Sequence, residues 1–477
     1  MNERVHDLTK SQLFLDDTWI DDQSMLTRIW HKPLLYPEPV MRPEMPWEGT
    51  NLAFYGTVLR IGEAWRMYYT TASPDFRAAM CVADSTDGFH WTRPELGIHE
   101  FRGSKRNNIV LTHCRCVSVY YDADDEEYPF RTMVHRGPSK TGHPVYGMYE
   151  AVSKDGYHWT EGDVVVPYPP NPQMHQYQLG REGTRALAGT DVHYLWPCKV
   201  NGEFVVTYKE DGSPARRSVG MSRGADFKSF SDTRIILRSD LLDPPDVQYH
   251  GMVGFPYGDL YLGLAERWFG APTHFEIMLV WSHDLDTWHM PAKRDAFIGP
   301  TLPWNAAWTT CSSGGPIQDG NQLRIYFGGR SGSHIHVKKG PHKIGNIGLA
   351  EITVDRFVSI SAGYMDGRLV TVPMQWPGGD LLLNASTTRE LDADPRLAGG
   401  EMAIEVWDAD GRPIEGFSGD QRAPFTGNHP SRGDTDAATI RWPGDRSMRE
   451  LAGREVRLAI FMRDAHLYSF RSTAAQT

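Results

Sequence analysis

The residues of this chain best suited to chemistry are carboxylates that stand beside aromatic or polar side chains where strands are expected to begin or end. Glu48 lies in "PWEGTN", Asp191 in "AGTDVHYLWP" and Glu266 in "GLAERW". Two carboxylates on either side of one bond can act as a general acid and as a base or nucleophile. We predict Glu48 and Asp191 as this pair, with Glu266 as the replacement partner. Glu266 also has a structural interpretation, a buried ion pair with Arg267.

Aromatic, histidine and arginine side chains near the same strand ends are candidates for binding. A tryptophan ring can stack on a ligand, and histidine and arginine can donate hydrogen bonds to hydroxyl groups or to a developing charge. The His-x-His pair in "GSHIH" could ligate a metal, but the sequence offers no identifiable third ligand, so we predict ligand contact and neither metal nor cofactor. The candidate binding residues are Trp47, Asn51, His113, Arg115, His193, His250, Trp308, Arg330, His334 and His336.

A repeated phrase indicates which elements must position these residues. The chain reads "ADSTDGFHWTRP" from Ala83 and "AVSKDGYHWTEG" from Ala151, with weaker copies in "GMSRGADFKSF" and "VWSHDLDTWHM". Each copy predicts a strand that runs into a tight Ser-x-Asp-Gly turn, in which Asp accepts hydrogen bonds from backbone amides and Gly takes a positive φ. A later aromatic residue is expected to pack under the turn. The recurrence predicts repeated structural units.

Hairpins of short strands, rich in β-branched and aromatic residues, precede most copies of the phrase. Five hairpins, each followed by a third strand, predict a five-bladed β-propeller over roughly residues 10–357, with almost no helix. The inner strands of a propeller begin near one mouth of the central funnel, where candidate residues from different blades would converge. Asp16 and Asp17 compete with Glu48 for the catalytic role, but we expect them on the strand that closes the ring.

The pattern of residues changes after Phe357, where the repeated phrase is no longer found. Short alternating strands with Asp-Gly, Pro-Gly and Gly-Arg turns predict a β-sandwich, so the chain is divided into a propeller of residues 1–357 and a sandwich of residues 358–477. The terminal "LYSFRS" is expected to form a buried strand, with Leu467 and Ser469 on one face and Tyr468 and Phe470 on the other. The sandwich is predicted to pack on the propeller flank and to take no part in catalysis.

Composition excludes several classes of partner. The net charge of −11, without a basic run, argues against binding of nucleic acid or of an anionic membrane. The N-terminus has no apolar leader and no stretch approaches a membrane span, so a cytoplasmic location is expected. Five scattered cysteines predict buried free thiols in place of a disulfide framework or zinc site.

Taken together, the hairpins, the "SxDGxHW" phrase and the C-terminal strands resemble glycoside hydrolase family 32, with families 43, 68 and 130 as propeller relatives. "QLFLDD", "PWEG", "WRMYY", "RFVSISAG" and "AHLYSFR" are similar to a family-32-like branch. The resemblance implies a glycosidase that cleaves a furanoside-type bond, fructo- or arabinofuranosyl-like, in an oligosaccharide or glycoside. It places the nucleophile or base at Glu48 and the general acid or a charge stabiliser at Asp191. The chain lacks the family's Asn-Asp-Pro-Asn-Gly, Arg-Asp-Pro and Glu-Cys signatures.

Two other classes of function stay open on the same scaffold. A phosphorylase, transglycosylase or lyase would share the architecture, and phosphorolysis would need a basic cluster near the acid, for which Arg115, Arg267 and Arg330 are candidates. The missing signatures are also compatible with a sugar-binding propeller that catalyses no reaction. Hydrolysis of furanosides with phosphate present and absent would separate these alternatives.

Overall fold

Short runs of apolar and polar residues in alternation give this chain a structure of antiparallel strands. The computed structural model describes residues 6–71, 75–76, 78–114, 116–137, 141–145, 147–167, 192–210, 217–231, 233–271, 273–333, 344–387, 400–425 and 437–473. The helical elements with defined bounds in these ranges are the short 3-10 turns Gly419–Gln421 and Met448–Leu451. The predicted all-β class is thereby confirmed. No helix in the described ranges is long and apolar enough to cross a membrane.

The strands are short and follow one another closely along the chain. The first sixteen are β1 (Gln12–Leu13), β2 (Ile20–Ser24), β3 (Leu26–Trp30), β4 (Leu34–Leu35), β5 (Leu52–Ile61), β6 (Ala64–Thr71), β7 (Ala79–Ser85), β8 (Ile109–Thr112), β9 (Val119–Tyr121), β10 (Phe130–Arg136), β11 (Gly147–Ser153), β12 (Trp159–Pro167), β13 (His193–Leu195), β14 (Phe204–Glu210), β15 (Ser218–Gly224) and β16 (Arg234–Leu237). The others are β17 (Val247–Tyr257), β18 (Leu260–Phe269), β19 (His274–Ser282), β20 (Trp288–His289), β21 (Trp308–Cys311), β22 (Ile317–Asp319), β23 (Gln322–Arg330), β24 (Gly345–Thr353), β25 (Val358–Ala362), β26 (Gly367–Thr371), β27 (Met374–Gln375), β28 (Leu381–Ser386), β29 (Glu401–Asp408), β30 (Ala423–Phe425), β31 (Ala438–Thr439), β32 (Glu455–Arg463) and β33 (Ala465–Ser472).

Five consecutive antiparallel sheets form the predicted five-bladed propeller. Blades 1 to 4 consist of β5–β8, β9–β12, β13–β16 and β17–β20. Blade 5 combines β21–β24 with β4, whose Leu35 is paired with Ala350 of β24. Because β4 precedes blade 1 in the chain and belongs to blade 5, it ties the first blade to the last and closes the ring.

Apolar clusters fill the interfaces between neighbouring blades. One cluster joins Tyr68 of blade 1 to Tyr149 of blade 2, and another joins Trp196 of blade 3 to Met252 of blade 4. Further clusters cover the interfaces of blades 2 and 3, 4 and 5, and 5 and 1. Burial of these large side chains supplies the main driving force that holds the blades in a ring.

The repeated phrase connects adjacent blades. Its serine accepts a hydrogen bond from the backbone amide of the turn glycine, as Ser153 does from Gly156 at 2.9 Å. The hydroxyl of Tyr68, on blade 1, then donates to the carbonyl oxygen of Gly156, on blade 2, at 3.0 Å. A Cβ atom at Gly156, whose φ is +77°, would lie 2.3 Å from that hydroxyl. Tyr326 of blade 5 makes the same bond to Gly88 of blade 1 at 2.8 Å, so the phrase recurs where one blade docks on the next.

Two six-stranded antiparallel sheets form the sandwich, and the N-terminal region contributes to both. One sheet has the order β3-β25-β33-β28-β31 with β1 on β33, and the other β2-β26-β32-β29-β30 with β27 on β32. The division at residue 357 is therefore wrong for the N-terminus, because β1 to β3 pair with C-terminal strands. Sequence order gave no signal for this, since both sheets take their partners from far along the chain.

The side-chain alternation predicted for the last strand is interrupted. Leu467 and Phe470 both lie in the sandwich core, where Phe470 packs edge-on against Trp19. Ser469 instead turns towards the propeller, where its hydroxyl donates to Asp355 at 2.6 Å. The pairing of β28 with β33 shifts register between Asn384 and Ala385, which inserts an extra residue and ends the strict alternation. The expected faces of Leu467, Ser469, Tyr468 and Phe470 are thus corrected.

Asp355 connects the propeller to the sandwich. Its carboxylate accepts hydrogen bonds from Ser11 and Ser469 on the sandwich side and from Tyr257 of blade 4, at 2.7, 2.6 and 2.9 Å. The Asn384 side chain adds a bond to the carbonyl oxygen of Val354 at 2.8 Å. Because all these polar groups are satisfied across the junction, separating the two parts would leave several of them without partners.

We expect a chain that ends at Gly363 to aggregate. Such a chain would retain β1 to β3 but lose β26, β32 and β33, which pair with them or complete their sheets. It would also expose the core-facing Phe14 and Trp19, both buried in the intact sandwich. Size-exclusion chromatography would show aggregates, whereas a soluble monomeric peak with the circular-dichroism spectrum of a folded β protein would contradict the expectation.

None of the five cysteines forms a disulfide bond, as predicted. Cys81, Cys114, Cys116 and Cys311 are buried, and Cys198 is partly exposed. Burial raises the pKa of the Cys311 thiol well above its ordinary value, with the Glu266 carboxyl as the next contribution. The four buried thiols therefore pack as small apolar groups of the core.

Candidate active site

The second strand of blade 4 ends at the mouth where the inner strands of the blades begin, and it carries Glu266 there. Glu266 is paired with Gly251 of β17, the inner strand of the same blade. The register of this pair shifts between Tyr249 and Gly251, so that His250 is an extra residue in the strand. A β-bulge of this kind re-aims a side chain, and His250 Nδ1 lies 3.0 Å from Glu266 Oε2.

Glu266 is held by groups from three blades. The Tyr194 hydroxyl, at the start of blade 3, donates to Glu266 Oε1 at 2.5 Å. The backbone amide of Cys311, on the inner strand of blade 5, donates to the same oxygen at 3.0 Å. Contacts from blades 3, 4 and 5 to one carboxyl place that carboxyl near the axis of the ring.

Two further side chains complete a group that we call the axial site, defined as Tyr55, Tyr194, His250, Glu266 and Arg330. Tyr55 comes from the inner strand of blade 1, and its ring centroid lies 6.5 Å from that of Tyr194 and 6.2 Å from that of His250. Arg330 is the last residue of β23 in blade 5. It lies close enough to Tyr55 and Glu266 for both to contribute to its pKa by electrostatic interaction. Four of the five blades therefore contribute to the axial site.

Burial controls the protonation of the axial carboxyl. Glu266 is fully enclosed, and this desolvation raises its pKa to about 7. The hydrogen bonds from Tyr194 and Cys311 act in the opposite direction, as does the charge of Lys209 on blade 3. Glu266 thus holds its proton near neutral pH and can donate it, which is the property required of a general acid.

A glycine makes the packing around Glu266 possible. A Cβ atom at Gly251 would lie 2.5 Å from the ring of Tyr194 and 3.3 Å from Glu266 Oε2. Because the Tyr194 ring passes directly over the β17 backbone, its hydroxyl can reach Glu266. Gly251 is therefore a positioning residue of the axial site.

Trp308 supports Arg330 and offers no open face for stacking. The Arg330 guanidinium lies 3.7 Å from the centroid of the Trp308 ring, and the Phe275 ring lies 3.9 Å from the same tryptophan. Trp308 is only 2% exposed. Trp308 is therefore the predicted stacking residue that lies beside the axial site, but Arg330 and Phe275 already cover its ring.

The structural interpretation of Glu266 as the partner of Arg267 is wrong. Neighbouring strand residues point to opposite faces, and Arg267 donates to Glu276 at 2.9 Å through Nε. Arg267 also lies 3.8 Å from Asp243. The guanidinium therefore belongs to a buried charge network behind the axial site and is not the partner of Glu266.

The prediction that Glu48 lines the mouth is also wrong. Its carboxylate accepts hydrogen bonds from Arg93 Nε at 2.7 Å, from the Tyr69 hydroxyl at 2.6 Å and from the backbone amide of Met45 at 3.0 Å. All these partners belong to blade 1 or to the segment before it, and Glu48 is 0% exposed. Glu48 thus serves as the buried anion of a structural ion pair, away from the axis.

The neighbours predicted beside Glu48 are structural as well. The Trp47 indole donates to Asn108 Oδ1 at 2.8 Å and packs against Phe101. Asn51 forms a bridge with Gly345 at the seam of blades 1 and 5. Neither side chain joins the axial site, which corrects their predicted role in binding.

The predicted histidines have different environments. His193 is fully buried against His135, with ring centroids 5.1 Å apart, and burial lowers its pKa to about 3. It is therefore a neutral core residue between blades 2 and 3. His113 is exposed between blades 1 and 2. Its carbonyl oxygen accepts a hydrogen bond from Arg136 at 3.0 Å, and the residue does not contact the axial site. His250 alone of these three lies beside Glu266.

Four predicted residues, Asp191, Arg115, His334 and His336, lie outside the described residues. Their roles stay predictions. No group of three or more histidine, cysteine or acidic residues that could hold a metal occurs in the described ranges.

Asp16 and Asp17 do not lie on the strand that closes the ring, which is β4. They follow β1 of the sandwich, and Asp16 accepts hydrogen bonds from the side chains of Trp281 and His283 of blade 4, both at 2.8 Å. Asp17 pairs with Arg28 of β3. Both acids therefore stabilise the N-terminal segment and its contact with the propeller.

Tyr55, Tyr194 and the Cys311 amide were not among the site groups predicted from the sequence. Tyrosines in strands are usually core residues, and a backbone amide carries no side-chain signal. The position of Tyr194 immediately after His193, at the start of an inner strand, was the available signal.

Comparisons with known proteins give distant matches of structure. No protein-family model and no curated protein matches the sequence. A solved structure described as "Glycoside hydrolase" is 13% identical over 67% of this chain and 92% of its own, with a TM-score of 0.45. The β-1,2-mannobiose phosphorylase from Listeria innocua is 12% identical over 70% of this chain and 98% of its own, with a TM-score of 0.44. The α-L-arabinofuranosidase from Podospora anserina in complex with cellotriose is 12% identical over 68% and 98%, with a TM-score of 0.45.

Proposed function

We propose that this protein cleaves a glycosidic bond, of furanoside type, with Glu266 as the general acid. The observation that carries the proposal is the enclosed Glu266 carboxyl at the propeller axis, whose pKa burial raises to about 7. A carboxylic acid that keeps its proton near neutrality can protonate the leaving oxygen of a glycoside. Glu48, which is enclosed in its ion pair, is replaced by Glu266 in this assignment.

The hydrogen bonds of Glu266 indicate where its proton lies. Oε1 accepts from both Tyr194 and the Cys311 amide, so the proton belongs on Oε2. Oε2 lies 3.0 Å from Nδ1 of His250, which can share that proton and orient the carboxyl. Burial raises the pKa of the Tyr194 hydroxyl well above its ordinary value, so that Tyr194 remains a donor while Glu266 changes charge.

Asp191 is our proposed second carboxylate, acting as base or nucleophile. It stands three positions before Tyr194, at the approach to the inner strand of blade 3. A glycosidase needs a second carboxylate across the scissile bond from its acid, and the distance between the two decides whether the anomeric configuration is retained or inverted.

Turnover should fall as the pH rises through about 7. Glu266 acts in its protonated form, and its pKa is about 7, so the active fraction is high below that pH and is lost above it. The measurement is kcat against pH on a nitrophenyl furanoside. A kcat that rises through pH 7 and stays high to pH 9 would contradict the assignment of Glu266 as acid.

The reaction is tested by incubating the full chain with a panel of nitrophenyl furanosides and pyranosides, with phosphate present and absent. Release of free sugar in both conditions supports the glycosidase. Release of sugar phosphate only when phosphate is present supports a phosphorylase, the second candidate, which is favoured by the position of Arg330 next to the proposed acid. Binding of the sugars without cleavage would instead indicate a non-catalytic propeller.

A further inference from the structure

A row of stacked side chains borders the axial site between blades 4 and 5. The rings of Trp268 and Phe275 are stacked with centroids 6.0 Å apart, and Phe275 lies 3.9 Å from Trp308. The Arg330 guanidinium covers the far side of Trp308 at 3.7 Å. The row fixes the plane of the guanidinium, because a flat cation over an indole ring is attracted by the ring electrons.

Arg330, whose side chain is partly exposed, differs from the enclosed arginines of the described ranges in its lack of an acidic partner. Four arginines with side chains less than a tenth exposed each have a carboxylate within ion-pair distance, namely Arg93 with Glu48, Arg136 with Glu161, Arg267 with Glu276 and Arg294 with Asp240. Within the described ranges, Arg330 has no ion pair and no side-chain hydrogen bond to protein. Its five N–H donors are therefore available to a ligand.

The axial carboxyl neutralises Arg330 only in part, because the two groups form no ion pair. Both oxygens of Glu266 are already engaged by Tyr194, Cys311 and His250. Burial raises the pKa of Glu266 to about 7, so a large share of this carboxyl is uncharged at neutral pH, and burial also lowers the pKa of Arg330 itself. A partly buried guanidinium without an ion-pair partner loses some of its hydration, and this cost is offset when an anion binds.

We infer that the axial site binds an oxyanion, a carboxylate or a phosphate, through the guanidinium of Arg330 stacked on Trp308. A planar guanidinium matches two oxygens of such a group with two parallel hydrogen bonds. The inference rests on the proposed function, since it names a chemical group bound at that same site. The oxyanion is either carried by the sugar as a carboxylate, which makes the substrate an acidic glycoside, or supplied as free phosphate.

Binding is measured by titration calorimetry on the full chain, with galacturonate, galactose and inorganic phosphate as probes. Galacturonate that binds at least tenfold more tightly than galactose identifies the sugar carboxylate, and binding of phosphate alone identifies phosphate. In Arg330→Gln, affinity for the bound oxyanion should fall by about tenfold to a hundredfold, the usual loss of a charge-assisted hydrogen bond. Arg330→Lys keeps the charge but loses the paired donors. Its affinity for the oxyanion should lie between that of the natural chain and that of Arg330→Gln.

Arg60→Gln is the matched control, because Arg60 also lies over a tryptophan, Trp65, at 5.4 Å, but pairs with Asp319. It should bind the oxyanion as the natural chain does. Absence of binding by galacturonate and phosphate, or equal affinity in the natural chain and Arg330→Gln, would overturn the inference. Because the readout is binding, oxyanion affinity that depends on Arg330 without any glycoside cleavage would refute the proposed reaction and leave the inference standing. Cleavage of neutral furanosides without oxyanion binding would refute the inference and leave the proposed reaction standing.

Discussion

Glu266→Gln should lower turnover on the cleaved glycoside by on the order of a hundredfold or more, the scale of losing an acid–base group. Glutamine fills the same space and can still accept from Tyr194 and from the Cys311 amide, but it has no proton to give at neutral pH. The kcat of the variant, measured between pH 5 and 9, should also lose the decline near pH 7. The comparison uses the substrate that the natural chain cleaves fastest.

Stability provides an independent check on the same variant. The pKa of Glu266 is raised in the folded chain from 4.5 to about 7, so the folded state binds more protons between these values. Its contribution to the free energy of unfolding is thus greatest below about pH 4.5 and falls as the pH rises to 7, by about 3 kcal/mol. Relative to the natural chain, Glu266→Gln should become more stable as the pH rises through this window.

A matched control is Glu351→Gln, which alters a carboxylate bonded to Arg324 and Tyr36 on blade 5. It lies away from the axial site, and its kcat should stay near that of the natural chain. If Glu266→Gln retained full turnover while Glu351→Gln lost it, the acid would have been assigned to the wrong carboxyl.

Arg93→Met should destabilise the fold by about 3–5 kcal/mol, the usual cost of leaving one member of a buried ion pair without its partner. Glu48 is fully enclosed, and Arg93 supplies two of its hydrogen bonds, at 2.7 and 3.2 Å. The free energy of unfolding in urea measures the loss. Turnover by the folded fraction should be unchanged, because the pair lies outside the axial site.

The double variant Glu48→Gln/Arg93→Met tests whether the unpaired charge of Glu48 causes the loss of stability in Arg93→Met. Removing the charge of Glu48 as well should recover part of the lost stability, since a neutral amide is easier to bury. Single-variant Glu48→Gln should keep turnover within tenfold of the natural chain. An Arg93→Met stability within 1 kcal/mol of the natural chain, or a hundredfold loss of turnover in Glu48→Gln, would contradict the structural role of this pair.

The sequence by itself determined the repeat and, through it, the fold. A Ser-x-Asp-Gly turn requires a local pattern of hydrogen bonds and a positive φ at glycine. The motif can therefore be recognised from the sequence at each of its copies. Alternating strands likewise carry their own periodicity, and five hairpins with copies of the phrase were sufficient for the propeller. The alternating strands after Phe357 predicted the sandwich, and the resemblance to family 32 added an expected class of reaction.

Only the tertiary structure showed that Glu266 lies near the axis and that Glu48 does not. Glu48 and Glu266 both stand in strand-edge contexts with aromatic neighbours, and the sequence ranked Glu48 first. Glu48 turned out to face Arg93, which is 45 residues away along the chain. Glu266 faces Tyr194, which is 72 residues away, and the Cys311 amide, which is 45 residues away. Burial and partner charge set a carboxyl's chemistry, and both depend on contacts across blades.

The bulges and the N-terminal pairing were equally beyond the sequence. The extra residue at His250 re-aims its ring at Glu266, and the register shift beside Ala385 turns Ser469 towards Asp355. Each shift is fixed by the fit of two strands, whose sequences individually show ordinary alternation. The same is true of β1 to β3, which find their partners among strands that lie more than three hundred residues later. Local periodicity therefore specifies the elements, whereas the register and pairing that build the axial site are decided by packing over the whole chain.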